Sequence, residues 1–286
     1  MCITVLLLCL LVSCSHENVN HNYYKCVSYT SINDFFQKQE GILISGHRGG
    51  NLPGYPENCI ETFDKILESL PTVFEIDPRM TKDSVVVLMH DKSLDRTTTG
   101  SGLVKDYTYE ELQQFNLKDR WGNITEYKIP SVKDVIMWSK DKVILNFDIK
   151  DVTRDVLVPL VQSLDAVNCM FTVRNTEEAL EVYNLNPEAR MSAWIRSIDE
   201  FYEYNSCGIP WQNIPMVYVV SDVMNKENNA LYSILRSKGV KCMVSTAPVQ
   251  DKIQIQEDRL AAFKDVLKTS PDVIESDFPT EFVSIL

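Results

Sequence analysis

From Ile42 onward, short runs of apolar and β-branched residues alternate with longer stretches whose apolar positions recur every three or four residues. The short runs, at 42–45, 73–77, 143–148, 169–173, 191–194, 216–220, 241–245 and 272–276, predict strands. The amphipathic stretches between most of them, at 60–69, 132–139, 156–164, 176–183, 198–205, 228–237 and 259–267, predict helices. Strands and helices in strict alternation imply an α/β fold, closed as a (β/α)8 TIM barrel rather than left as an open sheet. One further run, 85–89, breaks the alternation. It follows Asp77 too closely for a crossover helix, which takes a dozen or more residues, so it reads as an antiparallel hairpin strand after the second barrel strand. With residue 81 paired to 84, Glu75 falls opposite His90, and strand alternation puts Glu75 and Asp77 on one face. A slip of one residue would undo that pairing.

Two segments stand outside the repeat. Residues 91–130 form an inserted stretch with a turn-rich start, Thr97-Thr98-Thr99-Gly100-Ser101-Gly102, and a capping box of Thr108 with Glu111. Insertions of this length are commonly lids or substrate-binding elements. At the other end, residues 3–12 are apolar apart from Thr4, too short a run to span a bilayer but suited to a signal peptide. It ends in Leu11-Val12-Ser13-Cys14, which resembles the lipobox of bacterial lipoproteins, although no Lys or Arg precedes Lys25. The expected organisation is a signal peptide at 1–14 with Cys14 lipidated, a tether and N-terminal segment at 15–41, and a barrel domain at 42–286. The expected location is the bacterial cell envelope, exported and held to a membrane by the lipid.

Composition narrows the partners. A chain of 286 residues with 44% apolar content can bury the core of one large domain. A formal charge of −12 and a pI near 4.9 argue against nucleic acid, whose binding rests on a surplus of Lys and Arg. An anionic substrate needs a local exception, such as a bound cation beside Arg48. Of eight cysteines, Cys2 and Cys9 leave with the signal and Cys14 carries lipid. The five left have no C-x-x-C spacing, which points away from a disulfide framework or a zinc site. Cys169 and Cys242 sit in apolar runs as small core residues.

The chemistry concentrates between residues 46 and 90. His47 closes the first strand, where catalytic groups sit in a barrel, and Arg48 offers a planar fork for phosphate oxygens. Gly49 and Gly50 leave bare backbone that a phosphate can approach. Glu57 and Asn58 precede a helix; they cap it, support the site, or do both. Glu75 and Asp77 end a buried-looking strand, where carboxylates are costly unless paired or bound to metal. Asp148 and Lys150 share a face at the end of a later strand, placed for a third metal ligand and a phosphate-facing ammonium; a plain Asp–Lys pair is the bland alternative. With His90, these residues supply an acid/base pair, a phosphate clamp and an all-oxygen site for one divalent cation, Ca²⁺ or Mg²⁺ rather than Zn²⁺.

In this order, His-Arg-Gly at 47–49, Pro56-Glu57-Asn58, Glu75-x-Asp77, His90-Asp91 and Arg96-Thr97-Thr98-x-Gly100-x-Gly102 resemble the glycerophosphodiester phosphodiesterase family, with later landmarks at Ile129-Pro130-Ser131-Val132 and Glu275-Ser276-Asp277-Phe278-Pro279. The resemblance covers about residues 42–279. It implies a TIM barrel that hydrolyses glycerophosphodiesters to glycerol 3-phosphate and an alcohol with a divalent cation. It implies His47 and His90 as the acid/base pair, Glu75 and Asp77 as metal ligands, and Arg48 and Lys150 on the phosphate. Two departures stand out. The family's Glu-x-Lys reads Asp148-Ile149-Lys150, one methylene shorter, and its late Trp-Thr-Val-Asn segment is replaced by Cys242-Met243-Val244-Ser245-Thr246. The expected partners are a small glycerophosphodiester and a membrane reached through the lipid anchor, with no protein partner implied. The rival readings are an enzyme acting on intact lipids, of lysophospholipase D or phospholipase C type, and a non-catalytic binding lipoprotein on the same scaffold.

Overall fold

The computed structural model describes residues 31–286 except 39 and 71. The expected signal peptide, its Cys14, the tether at 15–30 and Cys26 lie outside the described residues. In chain order the elements are α1 (Ile32–Lys38), β1 (Leu43–Gly46), α2 (Ile60–Leu67), β2 (Thr72–Ile76), β3 (Pro78–Met80), β4 (Val86–Leu88), α3 (Tyr109–Leu112), α4 (Val132–Ser139), β5 (Ile144–Phe147), α5 (Arg154–Ser163), β6 (Cys169–Val173), α6 (Thr176–Leu185), β7 (Arg190–Trp194), α7 (Ile198–Ser206), β8 (Met216–Tyr218), α8 (Asn229–Ser237), β9 (Lys241–Ser245), α9 (Gln256–Leu267) and β10 (Val273–Ser276). Eight strands close in the order β1-β10-β9-β8-β7-β6-β5-β2, every neighbour parallel. This is the (β/α)8 barrel expected from the alternation.

β2 and β6 are buried at every position, as a strand covered on both faces must be. Outward residues such as Ile44, Phe74, Phe147, Phe171 and Ile274 pack under the helices. Ser131, Asn175 and Ser197 cap α4, α6 and α7 through their side chains. Inward residues change character along the axis. At the N-terminal end Leu43, Val73, Ile144, Met170, Met216 and Val273 form an apolar floor. α1, which falls in the expected N-terminal segment, plugs that floor with Ile32 and Phe36. Two residues further along the strands the inward positions turn polar: Ser45, Glu75, Asn146, Thr172, Ser245 and Glu275. The period of two that hides apolar side chains at one end therefore delivers charged ones to the C-terminal end, where barrel sites lie.

The hairpin exists, but its register differs from the expected one. Pro78 pairs Leu88, Arg79 pairs Val87 and Met80 pairs Val86. Thr81 N donates to Val85 O at 3.0 Å, so the turn is Lys82-Asp83-Ser84, with Ser84 at φ 65. A three-residue turn ending in a left-handed residue is a standard hairpin solution, and Thr81 Oγ1 stabilises it by accepting from Val85 N at 3.0 Å. The extra residue shifts every pair by one: Asp77 O faces Met89 N at 2.9 Å, and His90 does not face Glu75. Residues 91–130 fold over the hairpin on a core of their own, with Leu94, Val104, Leu112, Leu117 and Ile129 packed on Val87, Met89 and Cys59. The capping box of Thr108 and Glu111 opens α3 as expected.

Candidate active site

The site begins in the tight turn that follows β1. Arg48 sits at φ 55, Gly49 at φ 90 and Gly50 at φ 128. A Cβ on Gly49 would stand 2.3 Å from the Phe63 ring, and one on Gly50 2.7 Å from Pro279. The two glycines thus seat the turn against α2 and the C-terminal segment. Phe63 is fully buried and stacks on Phe74 with ring centroids 4.6 Å apart. Truncating it to Ala costs about 3–5 kcal/mol and loosens the turn that carries His47.

Each histidine is steered by a carboxylate. His47 Nδ1 lies 2.6 Å from Asp277 Oδ1, and Arg120 Nη1 donates to the other oxygen, Oδ2, at 3.0 Å. The Asp277 backbone N–H donates to Asp251 at 2.6 Å. Burial alone would lower the His47 pKa; the bond to Asp277 and the charges of Glu75 and Glu275 outweigh it and push it up to about 10. His90 Nδ1 lies 2.8 Å from Asp91 Oδ1. Burial pulls His90 below its ordinary value, helped by Arg48 and Lys150 and opposed by Asp77 and Asp91. With both Nδ1 atoms engaged, Nε2 of each ring remains for proton exchange.

Arg96 ties the second histidine to the rest of the site. Its guanidinium donates to both Glu57 oxygens at 2.8 Å and to both Asp91 oxygens at 2.7 and 3.0 Å. The chain Glu57–Arg96–Asp91–His90 gives Glu57 its role in supporting the site. Helix capping is not that role, because α2 starts at Ile60 with Cys59 as its cap residue. Asn58, held at φ 55, donates to Asp77 Oδ2 at 2.7 Å and accepts from Asp77 N at 3.1 Å.

Glu75, Asp77 and Asp148 converge. One oxygen from each lies within 4.8 Å of the others. Burial and the Asp77 charge raise Glu75 well above the usual carboxylate range. Burial acts the same way on Asp77, but Lys150, His90 and Arg48 outweigh it and hold Asp77 low. Asp148 accepts from Lys150 at 2.5 Å and from Arg174. Asp77 is 0% exposed, and its Oδ1 is ion-paired with Lys150 Nζ at 2.9 Å. Three hard oxygen donors, one of them fully buried, fit a divalent cation of the Ca²⁺ or Mg²⁺ kind. The shorter Asp148 side chain still reaches the cluster.

Beside this cluster opens a cavity of about 720 Å³. His47, Arg48, Glu57, Glu75, Asp148, Asp277, Trp194, Tyr218, Ser245 and Glu275 are among the residues that line it. Arg48 Nε is buried there without a hydrogen bond, 3.9 Å from Asp77 Oδ2. Lys150 and His90 stand next to the triad but do not line the cavity. The Lys150 ammonium is instead engaged with Asp77 and Asp148, so the expected phosphate contact is not its present arrangement. The sequence reading missed Asp277, Arg120 and Glu275 as parts of the site, and Arg96 as a clamp. Asp91, adjacent to His90, was legible; Asp277 becomes so only once β10 is known to lie beside β1.

A closed parallel barrel with two carboxylate-steered histidines beside an acidic triad at its C-terminal end defines a barrel enzyme of the phosphoric diester hydrolase class. The chain belongs to the glycerophosphoryl diester phosphodiesterase family, whose profile matches residues 47–261. It is 31% identical over 178 residues to the glycerophosphodiester phosphodiesterase of Caldanaerobacter subterraneus subsp. tengcongensis, covering 59% of this chain and 70% of that one. It is 36% identical over 116 residues to that of Bacillus altitudinis, covering 38% of this chain and 45% of the relative, less than half of its length. Among solved structures, a glycerophosphoryl diester phosphodiesterase from Parabacteroides distasonis is 41% identical with a TM-score of 0.85, covering 90% of this chain and 93% of that one. A phosphodiesterase from Oleispira antarctica, solved with the product sn-glycerol-3-phosphate, is 18% identical with a TM-score of 0.63, covering 85% and 95%; this likeness establishes the fold alone.

Proposed function

We propose that the protein hydrolyses glycerophosphodiesters to glycerol 3-phosphate and an alcohol, with His90 as general base and His47 as general acid. The observation that carries this reading is geometric: each imidazole is held at Nδ1 by a carboxylate, His47 by Asp277 at 2.6 Å and His90 by Asp91 at 2.8 Å, beside the acidic triad, with burial lowering His90 and Asp277 helping to raise His47. The glycerol 2-hydroxyl attacks phosphorus as His90 takes its proton, and His47 gives a proton to the departing alcohol oxygen. Water then opens the cyclic phosphate with the two roles exchanged. Arg48 holds phosphoryl oxygens. Glu75, Asp77 and Asp148 would hold one Ca²⁺ or Mg²⁺, which supplies positive charge against the phosphoryl oxygens. The test is to incubate the purified protein with several glycerophosphodiesters, with and without EDTA, and to assay glycerol 3-phosphate. Product formation that EDTA abolishes supports the reading. No product with either cation overturns it and leaves a binding lipoprotein as the better account.

A second reading, cleavage of intact lysolipids, has one observation in its favour. Trp121 and Ile124 of the insertion are 53% and 64% exposed, and Trp121 stands between the cavity-lining Arg120 and Gly122. Parallel assays on lysophospholipids separate the two. For location, we propose export and lipidation at Cys14, supported by the apolar run and the Leu-Val-Ser-Cys sequence at 11–14. Cys14→Ala should move the protein from the detergent phase to the aqueous phase on phase separation.

A further inference from the structure

Asp251 is a buried carboxylate for which the reaction above has no use. It lies on the loop after β9 and is 1% exposed, and no Lys, Arg or His forms an ion pair with it among the described residues. Burial pushes its pKa up to about 6; the bond from the Asp277 backbone opposes the rise and the Asp277 charge adds to it. A charge in such a place lowers stability unless hydrogen bonds hold it, so its partners show what it is for. The Asp277 N–H donates to Asp251 Oδ2 at 2.6 Å, and the Ser276 hydroxyl lies 3.1 Å from each carboxylate oxygen. Ser276 Oγ in turn accepts from Phe278 N at 3.0 Å. Asp251 and Ser276 thus hold residues 276–278, where the chain leaves β10 and presents Asp277 to His47.

The Asp277 side chain touches His47 and Arg120. His47 is the group to be steered, and Arg120 is an exposed side chain of the insertion. The fixed point of Asp277 is therefore its backbone. Its carbonyl accepts from Asn51 N at 2.6 Å, and its N–H is held by Asp251. The loop that carries Asp251 is itself tied to β10. Thr246 N and Oγ1 donate to Glu275 O at 2.8 and 3.1 Å, and Asp251 N donates to Thr246 O at 3.1 Å. Ala247, Pro248 and Lys252 of the same loop line the cavity. One loop therefore borders the ligand and anchors the carboxylate behind His47. Misplacing such a group by about 1 Å is enough to lose about 10²-fold in rate.

We infer that Asp251 is a positioning residue: through the Asp277 N–H and Ser276 it fixes the Asp277 carboxylate, and with it the His47 ring, in the geometry for proton transfer. The consequence for catalysis rests on the hydrolytic reading above; the consequence for geometry does not.

The test follows the full chain by proton NMR and by kinetics. The short hydrogen bond between His47 and Asp277 deshields its proton, so the wild type should give a far-downfield signal that is absent in His47→Gln. Asp251→Ala releases the Asp277 N–H. That signal should shift or vanish, and kcat should fall about 10- to 100-fold while KM changes by less than about threefold. Asp251→Asn can accept from Asp277 N with its amide oxygen and donate to Ser276 Oγ, so it should restore the signal and bring kcat to within about fivefold of wild type. Ser276→Ala, which removes one of the two holds, should fall between them. A purely architectural Asp251 predicts otherwise: Asp251→Ala melts lower but keeps the His47 signal and the kcat of its folded fraction. That result, or an Asn variant as impaired as Ala, overturns the proposal. Should Asp251→Ala not fold, an unchanged signal and kcat in Ser276→Ala overturn it instead. If exchange with water hides the signal, the kcat of Ala against Asn decides. Absence of turnover on every glycerophosphodiester removes the hydrolytic reading, while the signal still tests the positioning.

Discussion

Asp277→Asn is the sharpest perturbation of the acid/base machinery, because the structure dictates how the amide must turn. Asp277 Oδ2 receives Arg120 Nη1 at 3.0 Å, and Oδ1 faces His47 Nδ1 at 2.6 Å. An asparagine has one acceptor to share between these two groups. Arg120 can only donate, so it takes the amide oxygen, and the NH₂ is left pointing at Nδ1. His47 then carries its proton on Nε2 as the neutral ring and loses the carboxylate that kept it charged. An acid removed in this way should cost about 10²–10⁴-fold in kcat, with KM changed by less than about threefold. Asp277→Ala leaves His47 free to choose either tautomer, so it should be less damaging than the near-isosteric Asn. Arg120→Ala in the Asn background frees the amide to flip and should restore part of the loss. The assay is glycerol 3-phosphate release followed with a coupled dehydrogenase. Stability adds a second readout, about 1–3 kcal/mol for the lost charged hydrogen bond. His47 has its folded pKa raised, so its contribution is fully present below its ordinary 6.5 and is lost as pH climbs through about 10. Asp277 is held low by His47 against the pull of burial, so its contribution is present above its ordinary 3.8 and is lost as pH falls through its folded value. The gap in stability between wild type and Asp277→Asn should therefore be widest between about pH 4 and 6.5 and close above about 10. An Asn variant within tenfold of wild type, or an Ala variant slower than Asn, would refute the reasoning.

Three further outcomes follow from the same geometry. His90→Ala should lower kcat by about 10²–10⁴-fold, and the acid limb of the wild-type kcat/KM profile should lie below pH 6.5, because burial lowers His90; a limb above that value would count against a buried neutral base. Glu75→Gln and Asp77→Asn should each lose activity together with the rise in melting temperature that Ca²⁺ or Mg²⁺ gives, whereas Asp148→Glu should keep both; full activity in EDTA with no thermal shift would rule out the cation site. Arg96→Ala should release Asp91 and Glu57 together and lower kcat by at least tenfold while a lysine there rescues little, since only the fork reaches both carboxylates; kinetics of the two variants check this.

The barrel was legible because its strands and helices repeat with clean periods, and the acidic strand 75–77 because buried carboxylates are costly without a purpose. His47 and His90 were legible as one site from their neighbours in sequence. The register of the hairpin was not, since one left-handed residue, Ser84, changes a two-residue turn into three and shifts all pairs. The close fit of Gly49 and Gly50 against Phe63 and Pro279 was not legible either, because only the fold creates those contacts. Asp277 and Glu275 were out of reach of local reasoning because β10 meets β1 only when the barrel closes, and Arg120 because it reaches Asp277 from the insertion.

The seam where β1 meets β10 has a further meaning in time. Leu43 pairs with Val273, and His47 meets Asp277 across 230 positions of sequence, directly above that seam. Contacts so distant form late in folding, since the chain between must already be arranged. The last strand of the barrel thus both closes it and delivers the carboxylate that pairs with His47. A nascent chain, or one clipped before β10, would possess the histidine, the arginine and the acidic triad and yet lack a correctly protonated acid. Closure of the barrel and completion of the His47–Asp277 pair are therefore a single event.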